Sequence, residues 1–231
     1  MAKQWYNRFL QKISSTNSAL LAIISLIIAI FVSCIIMAIC GYNPFEAFWA
    51  IFLGAFGSQR AIAQTLSQAT PLIFTGLAFT FAKKATLINL GIEGQLHLGA
   101  IAAAIVGTLD LGLPMIVHLP LALISGVIAG GLYGAFVGFL KVRFGSNEVI
   151  ATIMLNTIAI NLTGYLVNYP FKAEGPIAQT EKILETAMLP RIFPKYQLTI
   201  AIVIAVIACL LVKYFMNRTT TGYEIKCVGL N

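Results

Sequence analysis

The sequence predicts an all-α protein, a polytopic transmembrane bundle of about six spans formed by a single domain over residues 1–231. Hydrophobic residues make up 59% of the chain and charged residues 10%, whereas soluble domains carry about 45–50% and about 25%. Mean hydropathy is +0.89, and apolar runs of about 20 residues recur, which is the length that crosses a hydrocarbon core. These observations predict a lipid bilayer as the surroundings of the chain.

The first predicted span covers residues 19–40. It is longer than the apolar region of a signal peptide and lacks a small-residue cleavage site, so we expect it to stay in the protein. A short aromatic stretch, 45–57, favours an interfacial helix. Five further spans are predicted at 66–82, 87–109, 115–140, 148–169 and 196–215, with a polar outer loop at 170–195.

Basic residues predict the orientation, because cytoplasmic loops carry an excess of lysine and arginine. A cytoplasmic N-terminus places ten of them inside: Lys3, Arg8, Lys12, Lys83, Lys84, Lys141, Arg143, Lys213, Arg218 and Lys226. The other five fall outside. The net charge of +7 therefore reflects topology, and no nucleic-acid motif accompanies it. The four cysteines form no CxxC pair and have no metal-ligand spacing, so neither a disulfide framework nor a metal is expected.

The third span carries Asn89, Glu93, Gln95 and His97 in its first half. A charge near the bilayer centre costs about 2.5–3.5 kcal/mol on insertion scales. Two interpretations stand: a polar turn in which Glu93 pairs with a lysine, or a lining of a solute pathway. Glu93 and His97 lie one helical turn apart, but no second carboxylate or nucleophile cluster accompanies them. We expect no catalytic residues and no cofactor.

Small and polar residues form stripes on three other spans. Four glycines at four-residue spacing predict a close helix-packing face on the fourth span: Gly126, Gly130, Gly134 and Gly138. On the fifth span, Thr152 and Asn156 share a face with Glu148, which favours either interhelical hydrogen bonds or contacts with a polar solute. Thr75, beside Pro71 on the second span, is a candidate of the same kind.

The chain has no GxxxxGK[ST] motif, so it carries no phosphate loop for ATP. It also lacks HExxH and GxSxG. If it transports a solute actively, the energy must come from a partner protein or from an ion gradient.

Three blocks carry a resemblance to a known family. The segment NLGIEGQLHLGA at 89–100 resembles the signature of bacterial ABC importer permeases of the branched-chain amino acid, ribose and nucleoside group. The segment GFLKVRFGSNEVIATIMLNTIAINL at 138–162 is similar to the simple-sugar and nucleoside branch. The segment TTTGYEIKCVGLN at 219–231 resembles the start of the cytoplasmic segment that docks on the ATPase, and we expect the complete chain to continue beyond it.

The resemblance implies a permease subunit in the bacterial plasma membrane that works by alternating access. It implies three partners: an ATP-binding subunit, a second permease subunit and an extracellular solute-binding lipoprotein. It assigns ATPase docking to Tyr223, Glu224, Lys226 and Val228. For the solute pathway, the sequence favours Thr75, Asn89, Glu93, Thr152 and Asn156.

Other functions stay open at the level of sequence. An ion-gradient-driven secondary transporter would use Glu93 as its proton or sodium site, an intramembrane enzyme would use Glu93 and His97 as an acid–base pair, and a structural subunit would have no pathway. The solute is also open, since sugars and nucleosides both suit a pathway lined by amides and hydroxyls.

Overall fold

The predicted all-helical class is confirmed by a computed structural model, which describes residues 18–229. The basic residues Lys3, Arg8 and Lys12 and the last two residues of the predicted docking segment lie outside that range. Within it, the chain forms eight α-helices and one 3₁₀ turn. Among these residues, Arg191 and Thr199 form an isolated antiparallel β-bridge.

The helices follow the predicted spans with shifted ends. Their bounds are α1 Ser18–Ile39, α2 Pro44–Phe56, α3 Gln59–Lys84, α4 Ile92–Thr108, α5 Met115–Phe144, α6 Glu148–Asn168, α7 Ala201–Arg218 and α8 Thr220–Val228, with the 3₁₀ turn at Glu185–Ala187. Among described residues, four helices are long and apolar enough to cross a membrane, namely α1, α5, α6 and α7. The apolar helix α4 has 17 residues, about 25 Å.

The chain divides into two compact units, residues 1–62 and 63–231. In the first unit, α1 ends where Gly41 adopts a positive φ of 81°, which glycine tolerates without strain. The Asn43 side chain then caps α2 by accepting a hydrogen bond from the Phe45 N–H at 3.1 Å. Pro44 is the first residue of α2, where its missing N–H costs nothing.

In the second unit, α4 and α5 cross at glycines. A Cβ atom added to Gly126 would lie 2.9 Å from the carbonyl oxygen of Gly99, and one added to Gly130 would lie 3.0 Å from that of Gln95. The two backbones therefore touch, as small residues allow in membranes. Ser125 adds a hydrogen bond from its hydroxyl to the Ala102 carbonyl, at 3.3 Å.

The interior of the second unit is built from small side chains, while large apolar ones face outward. Ala159 and Ala205 are completely buried, whereas Ile116 and Val142 are 86% and 88% exposed. Helices that meet by close packing of small residues and present large apolar side chains to their surroundings are suited to lipid. Buried polar groups in this unit require hydrogen-bond partners, and several of them lie at the start of α4.

Candidate functional site

The third predicted span, 87–109, begins with an irregular segment, and α4 becomes helical only at Ile92. The Asn156 side chain on α6 binds both sides of this start. Its Oδ1 accepts from the Gly94 N–H at 2.8 Å, and its Nδ2 donates to the Leu90 carbonyl at 2.7 Å. Since Gly94 lies in the first turn of α4, Asn156 satisfies an N–H that the helix cannot satisfy itself.

Two further side chains complete this arrangement. The Thr152 hydroxyl accepts from the Leu90 N–H at 3.3 Å and donates to the Glu148 carbonyl at 2.6 Å. The Asn89 side chain accepts from the Gly91 N–H at 2.8 Å. We call Asn89, Thr152 and Asn156 the N-terminal clamp of α4. The clamp thus pairs the N–H and carbonyl of Leu90 and the N–H groups of Gly91 and Gly94, which non-helical backbone would otherwise leave without partners.

The glycines of the NLGIEG segment let α4 and α6 approach closely enough for the clamp. A Cβ atom at Gly94 would lie 2.9 Å from the Asn156 Oδ1 and 3.0 Å from the Ala159 Cβ. One at Gly91 would lie 3.3 Å from the Thr152 Cβ. Any larger side chain at these two positions would push the helices apart.

A cavity of about 650 Å³ opens beside the clamp, within the second unit. Its walls are mostly apolar. Phe74 and Phe81 of α3 form one side, and a stripe of α5 glycines at positions 131, 134 and 138 forms another. Val212 of α7 and Ile225 of α8 also line it.

Few polar groups reach this cavity. Asn89 and Gln95 line it, as does the ion pair between Lys141 and Glu148. This pair bridges the short connection from α5 to α6, where Gly145 ends α5 with a φ of 62°. Gln95 lies over Gly134, whose added Cβ would be 3.2 Å from the Gln95 Nε2.

The structure brings together three of the five predicted pathway residues, which are the clamp residues Asn89, Thr152 and Asn156. Asn89 also lines the cavity. Glu93 is exposed in the first turn of α4, outside the residues that line the cavity. Thr75 lies on α3 and donates to the Leu72 carbonyl of its own helix at 3.1 Å.

The sequence alone predicts no functional role for Gln95 or His118, and it predicts no ion pair between Lys141 and Glu148. For the ion pair a signal existed, since opposite charges flank the Gly-Ser-Asn connection. Gln95 was visible only as a polar residue in an apolar run. Within residues 18–229, no group of His, Cys, Asp and Glu is arranged to hold a metal ion.

His118, near the start of α5, is a buried link to the loop between α6 and α7, which the sequence predicts to lie outside. Only 1% of it is exposed. Its Nε2 lies 3.0 Å from the Val106 carbonyl, and its Nδ1 lies 2.8 Å from the Thr186 hydroxyl in the 3₁₀ turn. Because a carbonyl only accepts, Nε2 carries a proton and donates to Val106.

We predict that His118→Leu loosens this loop. The substitution removes two hydrogen bonds, one to the Val106 carbonyl, which keeps the Leu109 N–H at 3.3 Å, and one to Thr186. At about 0.5–1.5 kcal/mol for each bond, the loss is about 1–3 kcal/mol. Proteolysis of residues 170–200 in right-side-out vesicles should accelerate about tenfold, while His97→Leu, on α4, serves as the matched control. Equal cleavage rates for the two variants would show that His118 does not hold the loop.

The helix α8 packs back on α7 through its first turn. The Thr219 hydroxyl accepts from the Gly222 N–H at 3.1 Å, and a Cβ on Gly222 would lie 2.3 Å from the Phe215 carbonyl oxygen. Lys226 donates to the Asn217 side chain at 2.7 Å. Only a glycine allows this turn of α8 to lie against α7.

The opposite side of α8 is open. Tyr223 and Val228 are 69% and 65% exposed, and Glu224 is exposed as well. A hydrogen bond with the Cys227 side chain raises the pKa of the Tyr223 phenol, so this group stays neutral at physiological pH. The helix therefore presents three of its four predicted docking residues, Tyr223, Glu224 and Val228, on its open side. Lys226 is bonded to Asn217, and Ile225 lines the cavity.

Comparisons with known proteins identify the family of the chain. Residues 61–231 match the family described as the branched-chain amino acid transport system permease component. The chain is 38% identical over 217 residues to the guanosine ABC transporter permease protein NupP of Bacillus subtilis, covering 92% of this chain and 62% of that relative. It is 32% identical over 227 residues to the nucleoside ABC transporter permease protein NupB of Lactococcus lactis, covering 94% and 62%.

A third relative is the glucose ABC transporter permease protein TsgB13 of Haloferax volcanii, at 28% identity over 220 residues, 90% of this chain and 58% of that relative. The chain thus spans about three fifths of the length of these curated relatives. No solved structure matches the chain.

Proposed function

The chain belongs to the family of branched-chain amino acid transport system permease components, and from this premise we propose that it forms the transmembrane pathway for a nucleoside in an ATP-driven importer. It is a multi-pass protein of the bacterial plasma membrane. The observation that carries the proposal is the similarity, over more than nine tenths of this chain, to permeases named for guanosine and for nucleosides. The cavity beside the clamp supports it, because solute sites are mostly apolar pockets with a few placed polar groups.

The proposed importer needs partners. The similarity to permeases named for ABC transporters supports an ATP-binding subunit as the source of energy. A second permease subunit would complete the pathway, and an extracellular solute-binding lipoprotein would deliver the solute to the outer face. The permease would alternate between outward-open and inward-open states as ATP binds and is hydrolysed.

We assign the ATPase contact to the open side of α8. Tyr223 and Val228 supply exposed apolar anchors, and Glu224 supplies an exposed charge. Lys226 is already bonded to Asn217, so its role is to hold α8 against α7. Because Ile225 lines the cavity, a movement of α8 imposed by the ATPase would reach the solute directly.

The five predicted pathway residues take different roles in this proposal. Asn89 lines the cavity, and for this reason we assign it a contact with solute. Thr152 and Asn156 are positioning residues, since their polar atoms hold the start of α4. Glu93 and Thr75 do not line the cavity, and for them we propose a contact with solute only in another state of the transport cycle.

The test is uptake of labelled guanosine, uridine and ribose by cells with and without the full-length gene, before and after ATP depletion. Nucleoside uptake that needs both the gene and ATP is the expected result. If only ribose uptake depended on the gene, the solute would be a simple sugar and not a nucleoside. Uptake that survives ATP depletion and collapses with the proton gradient would replace the importer by a secondary transporter that uses Glu93.

We predict that Glu224→Lys weakens ATPase binding. Reversal of one exposed interfacial charge should cost about 1.4 kcal/mol, which is tenfold in affinity. The amount of ATPase that co-purifies with the permease reports the effect. Glu174→Lys, the same reversal in the outer loop, is the matched control. If ATPase recovery is the same for both variants, α8 does not dock through Glu224.

A further inference from the structure

Gln95 presents a polar atom that the fold leaves unused. Its Nε2 is buried and has no hydrogen-bond partner among the described residues. An unpaired buried polar group is disfavoured, and most such groups in native proteins have a partner. Gln95 lines the cavity, and because the terminal torsion of a glutamine side chain is soft, rotation of the amide can turn Nε2 from this buried position toward a molecule in the cavity.

The dimensions of the cavity suit a solute with two different ends. Its volume, about 650 Å³, lies in the range of about 300–1,000 Å³ that is common for ligand sites. The Gln95 amide lies over Gly134 at one end, and Lys141 lies seven residues further along α5. Two helical turns separate these positions by about 10 Å, so the amide and the ion pair can contact opposite ends of one molecule.

The walls between these ends suit a flat ring better than a free sugar. Gly134 and Gly138 have no side chains, and Phe81 lines the same cavity, so an aromatic base can lie against an even surface and an aromatic ring. Stacking of a base on an aromatic side chain is worth about 1–3 kcal/mol. A free sugar carries hydroxyls around its whole ring, and apolar walls would leave most of them unpaired.

We propose that the Gln95 side-chain amide hydrogen-bonds the edge of the nucleobase and so determines which nucleosides pass through the cavity. An amide offers a donor and an acceptor side by side, which matches the paired groups on a base edge. The Lys141–Glu148 pair and Asn89 then face the ribose hydroxyls. This inference rests on the proposed function, because it names the residue that selects the solute at the same cavity.

The test compares purine nucleosides that differ only in the base edge: adenosine, guanosine and purine riboside, which lacks the exocyclic group. Initial uptake rates at saturating nucleoside are measured for the full-length transporter carrying Gln95→Leu or Gln95→Met. Rates are normalised to the amount of permease in the membrane. Gln64→Leu, the same change on α3 away from the cavity lining, is the control.

The wild type and Gln64→Leu are expected to transport one of the substituted purine nucleosides about tenfold faster than purine riboside. In Gln95→Leu and Gln95→Met this ratio should fall close to one. A purely structural role for Gln95 would lower all three rates together and preserve the ratio, which would overturn the inference. The same conclusion would follow from a wild type that transports all three equally.

Two variants are used in case one of them does not fold. Methionine keeps the length of the glutamine side chain and so preserves its packing, whereas leucine shortens it. Absence of any nucleoside uptake by the wild type would contradict the proposed function itself. Nucleoside uptake with an unchanged ratio in the variants would contradict only the assignment of Gln95.

Discussion

Replacement of Gly126 by leucine should remove most of the folded permease from the membrane. The Cβ alone would lie 2.9 Å from the Gly99 carbonyl oxygen, and leucine adds three more carbons at a point where two backbones touch. The helices α4 and α5 would have to separate, which also breaks the Ser125–Ala102 hydrogen bond. Overpacking of this kind costs about 1–3 kcal/mol and more where backbone must move, so we expect a loss of about 3 kcal/mol or more.

The measurement is the amount of intact permease in purified membranes, together with its thermal unfolding in detergent. Gly164→Leu is the matched control, because a Cβ at Gly164 meets nothing within 4 Å. If both variants accumulated and unfolded alike, the crossing of α4 and α5 would not depend on contact between their backbones.

Asn156→Leu should have an effect of similar size for a different reason. Leucine has nearly the same shape as asparagine but leaves the Leu90 carbonyl and the Gly94 N–H without their partners. Each of the two unpaired groups costs about 1–3 kcal/mol, so we expect a loss of about 2–6 kcal/mol. Abundance and uptake should fall in parallel, since the α4 start would lose its support.

The control for this second experiment lies on the same helix. Asn161 donates to the Thr157 carbonyl of its own helix at 2.9 Å and is exposed, so Asn161→Leu should leave abundance within twofold of the wild type. A normal level of Asn156→Leu protein that no longer transports solute would instead assign Asn156 to the solute pathway.

Much of the fold could be predicted because a helix needs about 20 apolar residues to cross a bilayer, and because charged residues are mostly found at the ends of such helices. The helices α1, α5 and α6 begin and end within a few residues of the predicted spans, since polar or helix-breaking residues flank them. The start of α4 could not be predicted in this way. Residues 87–91 open the apolar run of the predicted span, but side chains more than sixty residues further along the chain bind Leu90 and hold this segment in a non-helical conformation.

The candidate site could also be predicted only in part. The sequence identifies polar residues in apolar runs, and Asn89, Thr152 and Asn156 do lie together. It cannot tell a polar atom that is consumed by the backbone from one that is free, because that depends on the partner helix. Both amide atoms of Asn156 are hydrogen-bonded, whereas the buried Nε2 of Gln95 has no partner in the described range. The composition of the segments does not indicate which of the two side chains is free to bind a solute.

The end of α8 also touches the end of α3, since a Cβ on Gly229 would lie within 2.1 Å of the Lys84 carbonyl oxygen. The helix α3 supplies Phe74 and Phe81 to the cavity, and α8 supplies Ile225. Whatever shifts α8 must therefore change two sides of the cavity at once. If α8 is the docking element, linkage requires the reverse effect, because a solute that prefers one position of these walls then alters the affinity of α8 for the proposed ATP-binding subunit by the same factor. An occupied permease and an empty one would then differ in how tightly they hold that subunit, which would register cargo that it never touches.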